Sequence, residues 1–306
     1  MNPFDVSLST TAQLSRRGVD RNAQHRLTTA GVLVRITPGV YVDASDWALL
    51  DDRERFVTRV RGVALSRPTP LLISHRTAAV LHGLPLVGGL PSRVDSLRST
   101  VNGGRSETTI SAHRTSHLPQ VGQVNDLRVT TVSRTVVDVA LSSPLVVSVP
   151  MADHALRLGQ TTHQTLHHEL DARQHHPGAR RAAAALGLST PESQSPLESI
   201  TQVRLHEGGW QRPRQQVRLP LLRGGAAHVD CFWADIDLVL EADGRYKYGP
   251  VTGLLSGEEL WAEKRREDDL REQGFDFRRP TWDRVWRRTE FEAMMRGTRV
   301  PRAARG

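Results

Sequence analysis

Three carboxylates in the C-terminal third of the chain occupy positions suited to binding a metal ion. Asp230 lies within the run Val-Asp-Cys-Phe, and Glu241 and Asp243 lie within the run Leu-Glu-Ala-Asp-Gly. Both runs are predicted strands, and because side chains alternate along a strand, Glu241 and Asp243 point to the same face. If the two strands pair as a hairpin, Asp230 lies across from Glu241. Crowded, half-buried carboxylates are destabilising unless a cation neutralises them, and Mg²⁺ prefers oxygen ligands. The pattern predicts a Mg²⁺ (or Mn²⁺) site with these three carboxylates as ligands.

Lysine is rare in this chain. The sequence has 41 basic residues, of which only Lys247 and Lys264 are lysine. Lys247 follows Gly244, where the backbone can turn, and so could reach back toward the carboxylates. A Mg²⁺ ion beside a lysine can activate water and stabilise the departing oxygen of a phosphodiester. The residues therefore predict metal-dependent phosphodiester cleavage at Asp230, Glu241 and Asp243, assisted by Lys247.

The N-terminal segment has the pattern of a DNA-binding element. Residues 10–17 predict a short helix that ends at Gly18, and Asp20 is a suitable N-cap for a second helix to about Ala30. Ala23, Leu27 and Ala30 form the predicted apolar stripe of that helix. Residues 32–36 and 40–42 predict a hairpin, so the segment is a predicted winged helix-turn-helix. In the predicted DNA complex the second helix enters a major groove and the hairpin contacts phosphate. The predicted DNA-binding residues are Arg21, Asn22, His25, Arg26 and Arg35. The alternative is a small helical cap for protein contacts.

Composition is consistent with these predictions. The formal net charge of +8 favours polyanionic partners such as nucleic acid. The single cysteine, Cys231, excludes a disulfide framework and fits a reducing cytoplasm. No apolar run has the length of a membrane span, and the first ten residues lack the features of a signal peptide. We therefore expect a cytoplasmic protein without membrane contact.

The remaining chain is predicted to form an α/β structure in two further parts. Residues 46–188 are predicted to be a middle α/β domain and 195–300 a C-terminal domain, with a Ser/Thr/Pro-rich linker at 189–194. The middle part holds a histidine-rich helix in which His163 and His167 could share a metal ion, although a solvated polar helix is the favoured interpretation. The C-terminal part predicts the order α-β-β-β-α-β, a three-layer α/β unit.

Two resemblances extend this interpretation. The first 45 residues resemble the winged-helix domain of AbiEi-type antitoxins, through Gly18, the arginine-rich second helix and residues 31–42; residues 133–138 add a similar Ser-Arg-Thr-Val-Val-Asp run. This resemblance implies DNA binding and a cognate toxin as a partner. Residues 195–290 resemble the PD-(D/E)XK nuclease superfamily, in the branch similar to very-short-patch repair endonucleases. That resemblance implies a restriction-endonuclease-like domain and adds Glu198 to the catalytic set. It also implies phosphate-binding or supporting roles for Gln215, Glu263, Lys264 and Arg266.

The chain departs from the superfamily pattern at one position. The pattern has lysine two residues after the strand acid, where this chain has Asp243. Either Lys247 substitutes for that lysine in space, or the site is altered or inactive.

Each candidate also has a structural interpretation. Asp230 and Glu241 could form ion pairs, Glu198 could complete a helix capping box, and Asp243 could form a turn with Gly244; Lys247 and Arg266 could be surface charges. Two functions therefore follow from the sequence: a DNA-binding endonuclease in a repair, restriction or phage-defence role, or an antitoxin-like transcriptional regulator with an inactive nuclease fold.

Overall fold

The protein is a mixed α/β chain that divides into two units. The computed structural model describes residues 1–99, 107–115, 119–242 and 257–303, with residues 257–260 described by their backbone only. One unit comprises Met1–Ser142 and Gln164–Pro177, and the other Ser143–His163 and Gly178–Gly306. The predicted division at residues 45 and 188 into three domains stays a prediction.

The helices are α1 (Thr11–Arg16), α2 (Arg21–Thr29), α3 (Ala44–Ala48), α4 (Asp52–Leu65), α5 (His75–Leu81), α6 (Val132–Ser142), α7 (Leu145–Arg157), α8 (His163–Asp171), α9 (Ala179–Leu188), α10 (Pro196–Glu207), α11 (Gly257–Glu272), α12 (Trp282–Trp286) and α13 (Arg288–Arg296). The strands are β1 (Ser9–Thr10), β2 (Leu33–Thr37), β3 (Val40–Asp43), β4 (Leu72–Ile73), β5 (Val94–Ser99), β6 (Ile110–Thr115), β7 (Val121–Val124), β8 (Leu127–Thr130), β9 (Arg214–Pro220), β10 (Ala226–Trp233), β11 (Leu238–Leu240) and β12 (Asp276–Arg278). In the described residues none of these helices is both long enough and apolar enough to cross a membrane.

The N-terminal elements confirm the predicted two helices and hairpin. Asp20 caps α2 by accepting a hydrogen bond from the amide of Ala23 at 2.7 Å, as its position before the helix predicts. β2 and β3 pair antiparallel, and the unpredicted strand β1 joins β3 to give the order β1-β3-β2. α4 packs close to this sheet: a Cβ atom at Gly62 would lie 2.7 Å from Cγ2 of Ile36.

The predicted apolar stripe of α2 is wrong at its end, whereas Ala23 and Leu27 are half-buried. Ala30 is exposed, whereas Gln24 is buried. The Gln24 amide donates to the carbonyl of Val19 at 2.9 Å, which satisfies both groups inside the unit. Gln24, although polar, is thus buried on the inner face of α2 because its amide has a backbone partner there.

The rest of the first unit is built on a five-stranded mixed sheet with the order β6-β5-β4-β8-β7. β4 and β8 are parallel neighbours, and each is followed by a helix, α5 and α6. Val60 on α4 packs with Ile73, Val94, Ile110 and Val129 of the sheet, and none of these five side chains is more than 1% exposed. The histidine-rich helix is α8, and its His163, His167 and His168 are exposed, as a solvated polar helix requires.

The second unit confirms the predicted α-β-β-β-α-β order from α10 to β12. Its sheet has the order β12-β11-β10-β9, with only the β11–β12 pair parallel. Leu270 of α11 packs against Val229, Val239 and Phe277 of the sheet. The predicted strand over 236–243 is wrong at its start, because residues 234–236 form a single 3-10 turn and Asp237 has a left-handed φ of +49°.

Candidate active site

The register of the second sheet places Glu241 beside Asp230. Cys231 pairs with Leu240 in the antiparallel β10–β11 ladder, and continuing that ladder by one residue brings Asp230 across from Glu241. Residues directly opposite each other on antiparallel strands have side chains on the same face. The predicted meeting of these two carboxylates therefore follows from the observed register.

The same level of the sheet carries a polar residue on each outer strand. On β9, Gln216 lies between the two residues that pair with Val229 and Cys231, and so lies opposite Asp230. Next to β11, the amide of Glu241 donates to the carbonyl of Arg278 at 3.0 Å, which places Arg279 beside Glu241. A row of four polar residues, hereafter the polar row, thus crosses the sheet: Gln216 on β9, Asp230 on β10, Glu241 directly after β11 and Arg279 directly after β12.

Gln216 joins Asp230 to Glu198, the third residue of α10. Its Nε2 donates to Oε2 of Glu198 at 3.0 Å and to Oδ1 of Asp230 at 3.3 Å. Gln216 also has a left-handed φ of +48°, a conformation that is unfavourable for a residue with a Cβ atom. The backbone is held in this conformation where one amide serves two carboxylates.

Asp230 is the most perturbed of the site carboxylates. The pKa of Asp230 is raised from 3.8 to about 6, chiefly by burial and also by the neighbouring charge of Glu198. Hydrogen bonds from Gln216 and from the amide of Ala242, at 2.9 Å, act in the opposite direction, as does the charge of Arg266. The acid that crowds Asp230 here is Glu198, whereas strand alternation predicted crowding with Glu241 and Asp243.

Glu198 combines the two roles that the sequence left open. Its amide donates to the hydroxyl of the N-cap residue Ser195 at 3.2 Å, so it belongs to the helix start. Its carboxylate is buried and accepts from the amide of Gln194 at 2.9 Å as well as from Gln216. The capping position aims this carboxylate at Asp230 rather than excluding it from the site.

Glu241 is ion-paired, whereas Asp230 has no ion-pair partner among the described residues. Oε2 of Glu241 lies 2.9 Å from Arg279, whose guanidinium also contacts Glu263 at 3.6 Å and Glu267 at 2.8 Å. Burial raises the pKa of Glu241, while the charges of Arg279 and Arg266 oppose that rise. Within the described residues, no basic side chain lies at ion-pairing distance from Asp230.

The other predicted site residues differ in whether they act on the carboxylates. Gln215 donates to the hydroxyl of Ser193 at 3.2 Å, and its neighbour Gln216 takes the place beside the carboxylates. Lys264 is exposed, whereas Arg266 is half-buried and its charge acts on Asp230 and Glu241. Asp243 and Lys247 lie outside the described residues.

No group of three or more His, Cys, Asp or Glu side chains comes close enough to hold a metal ion in the part of the chain that the structure describes. The oxygens of Asp230 and Glu241 remain as a pair of carboxylates at one level of the sheet. Mg²⁺ is commonly held by one or two carboxylates, with waters and substrate phosphate filling the other positions. Carboxylate oxygens are donors of the type that Mg²⁺ or Mn²⁺ takes, although Oε2 of Glu241 is already paired with Arg279.

The predicted DNA-binding residues share one property in the first unit. Each of the five side chains is exposed: Arg21, Asn22, His25, Arg26 and Arg35. The first four lie on α2, and Arg35 lies on β2 across from Tyr41. The helix and hairpin thus present a basic, solvated surface, as the sequence predicts.

The first unit also contains a polar cluster that the sequence did not predict. Nε2 of His113 lies 2.9 Å from Oδ1 of Asp95, and the imidazole of His75 stacks on His113 with ring centroids 3.6 Å apart. The other oxygen of Asp95 accepts from both the amide and the hydroxyl of Thr77. Strand pairing between β5 and β6 brings the members together, and no local sequence spacing could have indicated it.

Comparisons with known proteins add little to this geometry. No family model and no curated protein matches the chain. Among solved structures, the chain is similar to the RV2827C protein from Mycobacterium tuberculosis, with 15% sequence identity and a TM-score of 0.41. That similarity covers 72% of this chain and 80% of the other.

Proposed function

We propose that this chain binds DNA through its N-terminal helices and hairpin and cleaves phosphodiester bonds at the polar row of the second unit. The observation that carries the cleavage proposal is the raised pKa of Asp230, about 6, beside Glu198 and across from Glu241. Ion pairing alone would lower the pKa of a carboxylate, so the raised pKa of Asp230 has another cause. Carboxylates with perturbed pKa values are concentrated at functional sites. A bound cation would stabilise such a group of carboxylates.

The DNA-binding part of the proposal rests on the arrangement of α1, α2, β2 and β3. Two short helices separated by a tight turn and followed by a hairpin make a winged helix-turn-helix, in which the second helix enters the major groove. The arginines at 21 and 26 are exposed on that helix, and Arg35 is exposed on the hairpin. Such residues suit contacts with phosphates, which provide most of the sequence-independent affinity for DNA.

The cleavage part rests on the α-β-β-β-α-β order and on the level of the acids in the sheet. In a PD-(D/E)XK-like domain the acids of the second and third strands hold the metal, as Asp230 and Glu241 would here. A bound Mg²⁺ would supply Lewis-acid stabilisation of the charge that develops on the phosphodiester oxygens. The chain's own residues prepare the carboxylates for it.

Gln216 and Ala242 fix the orientation of the Asp230 carboxylate from two sides. Gln216 donates to one oxygen and the Ala242 amide to the other, so the side chain is held in place before any ligand binds. Only the deprotonated carboxylate is a ligand. Because the pKa of Asp230 is about 6, we propose that activity rises with pH through that value.

Arg279 favours a second candidate function. Its guanidinium neutralises Glu241 and also contacts Glu267, which makes the third-strand acid part of a structural ion-pair network. This is what an inactive nuclease fold would contain, and it supports an antitoxin-like DNA-binding regulator with a toxin as its partner. The two candidates share the DNA-binding surface and differ in the use of Asp230.

One experiment separates the two candidates. The purified protein is incubated with single-stranded, duplex and mismatched DNA in Mg²⁺, in Mn²⁺ and in EDTA, and its melting temperature is measured in each buffer. An endonuclease gives metal-dependent products and a higher melting temperature with metal, because a ligand that binds only the native state stabilises it. Absence of both effects would leave the regulator.

A second experiment tests the DNA-binding surface. Replacing Arg21, Arg26 and Arg35 with alanine should reduce DNA affinity and lower the salt dependence of binding by about two to three units. Arg59, Arg93 and Arg128 are exposed in the same unit and serve as a matched triple-alanine control. If both triple variants bind DNA alike, the helices and hairpin are a protein-contact surface.

A further inference from the structure

An arginine-lined pocket lies against the outer strand of the second sheet. The pocket has a volume of about 730 Å³, and its charged lining residues are Glu192, Arg212, Arg214 and Arg218. Gln216, the residue that contacts both Glu198 and Asp230, also lines it. The pocket, hereafter the β9 pocket, therefore adjoins the polar row and has an excess of two positive charges.

Two of these arginines have no ion-pair partner in the part of the chain that the structure describes. Arg214 and Arg218 are exposed, and no carboxylate of the described residues lies at ion-pairing distance from either. Other arginines of the same unit are paired, as Arg223 is with Glu272 and Arg279 is with three glutamates. Arg212 differs from both groups because its guanidinium donates to the carbonyl of Leu188 at 2.8 Å.

The spacing of the unpaired arginines follows the strand. Arg214 and Arg218 each lie two residues from Gln216, and the pairs on both sides of Gln216 keep one register with β10. Two strand residues span about 6.6 Å, so the two arginines flank the level of the carboxylates by about that distance on either side. β9 is an edge strand of its sheet, which leaves a long ligand free to extend along it.

We propose that the β9 pocket binds the phosphate backbone of a DNA strand, with Arg214 and Arg218 contacting phosphates on either side of the position that faces Asp230. Guanidinium groups match phosphate geometry through paired hydrogen bonds. The contacts are to the backbone, so they hold the strand without reading its sequence. The assignment of the facing phosphate as the one that is cut rests on the proposed function, whereas the binding itself does not.

The test measures binding of a labelled single-stranded DNA in EDTA by the full chain, so that cleavage does not contribute. The background carries alanine at Arg21, Arg26 and Arg35, which removes the other proposed surface. In that background, Arg214→Ala with Arg218→Ala should weaken binding about tenfold and lower the salt slope by about 1.5 units, since each contact with a single strand contributes about 0.7. The control is Arg284→Ala with Arg296→Ala, which removes two exposed arginines of the same unit outside the β9 pocket. Equal affinity and slope for the two double variants would overturn the proposal.

A charge-preserving variant separates binding from folding. Arg214→Lys with Arg218→Lys should keep the salt slope and recover part of the affinity, since lysine retains the charge but not the paired hydrogen bonds. If the lysine variant binds as weakly as the alanine variant while both melt like the parent, the charges do not contact phosphate and the proposal fails.

Cleavage assays distinguish the two proposals. A wild-type chain that never cuts DNA, combined with the slope change, leaves the β9 pocket standing and removes the endonuclease. A chain with alanine at Arg21, Arg26 and Arg35 that cuts DNA with the same KM after Arg214 and Arg218 are also replaced keeps the endonuclease and removes the pocket.

Discussion

Asp95 in the first unit and Asp230 in the second both belong to strands of a sheet, yet their oxygens meet different neighbours. Asp95 accepts from the Thr77 amide, the Thr77 hydroxyl and His113, which are all donors. Asp230 also accepts hydrogen bonds, but Glu198 lies close enough to raise its pKa. The described neighbours of the Asp95 oxygens are donors, whereas a second carboxylate lies near the oxygens of Asp230.

This contrast distinguishes polar clusters that stabilise the fold from polar clusters in which like charges repel each other. A buried acid that is surrounded by donors contributes to stability, and its removal leaves those donors without partners. An acid that faces another acid lowers the free energy of unfolding, because the two negative charges repel each other. The first kind is expected in a structural core and the second at a site.

The largest expected difference concerns activity. Asp230→Asn should reduce metal-dependent DNA cleavage at least a hundredfold, on the order of the loss expected for a catalytic metal ligand, because an amide is a poor substitute for a carboxylate in holding Mg²⁺. Asp235→Asn is the matched control, since Asp235 is exposed on the 3-10 turn of the same unit. Initial rates on a labelled substrate give the comparison. Equal activity of Asp230→Asn and wild type would place the chemistry elsewhere.

The next largest effect is on the stability of the first unit. Asp95→Ala should lower the free energy of unfolding by about 2–3 kcal/mol, because the Thr77 amide and His113 lose a buried acceptor. Urea denaturation followed by circular dichroism measures it, with Asp126→Ala in an exposed turn as control. A loss no larger than that of the control would show that Asp95 is as dispensable as a surface acid.

Strand alternation together with the assumed hairpin predicted the level shared by Asp230 and Glu241, because Asp230 lies in β10, Glu241 directly follows β11, and these strands pair as neighbours. The same reasoning could not select Gln216 over Gln215. A two-residue turn at Gly224 and Gly225 would set a different register from the five-residue connection, 221–225, that joins β9 to β10. The left-handed φ of Gln216 is also invisible in the sequence.

Long-range pairing accounts for the other residues that the sequence missed. Arg279 reaches Glu241 because β12 runs parallel to β11, and parallel neighbours are separated by a long connection in the chain. His75, Asp95 and His113 meet through three strands that are likewise distant in sequence. Local patterns therefore predicted the elements and one pair of acids, while tertiary pairing decided which polar residues surround them.

A smaller effect sharpens the contrast between the two aspartates. The folded pKa of Asp230, about 6, lies above its ordinary value of 3.8, so the native state binds a proton more tightly and loses stability as pH rises through 6. In EDTA at pH 8, Asp230→Asn should therefore raise the free energy of unfolding by about 1 kcal/mol, and at pH 4 the gain should vanish. Urea denaturation at the two pH values measures the difference. A destabilised variant at pH 8 would mean that Asp230 is compensated in the same way as Asp95.

An effect of similar size comes from His75, whose pH dependence has the opposite sign. Burial lowers the pKa of His75 well below 6.5, and the charges of His113, Arg134 and His176 lower it further. The unfolded chain then binds a proton near pH 6.5 that the native state does not, so this residue destabilises the protein as pH falls from 7 to 5.

His75 also has a left-handed φ of +50°, which asparagine tolerates better than histidine. His75→Asn removes the titration, and between pH 7 and pH 5 it should lose about 1 kcal/mol less of the free energy of unfolding than wild type does. His82→Asn is a weaker comparison, because the hydrogen bond that Nε2 of His82 donates to the Thr130 carbonyl opposes the lowering of the pKa of His82. Parallel pH profiles for wild type and His75→Asn would show that His75 gains its proton in the native state, and that the stacked imidazoles are not kept neutral by burial.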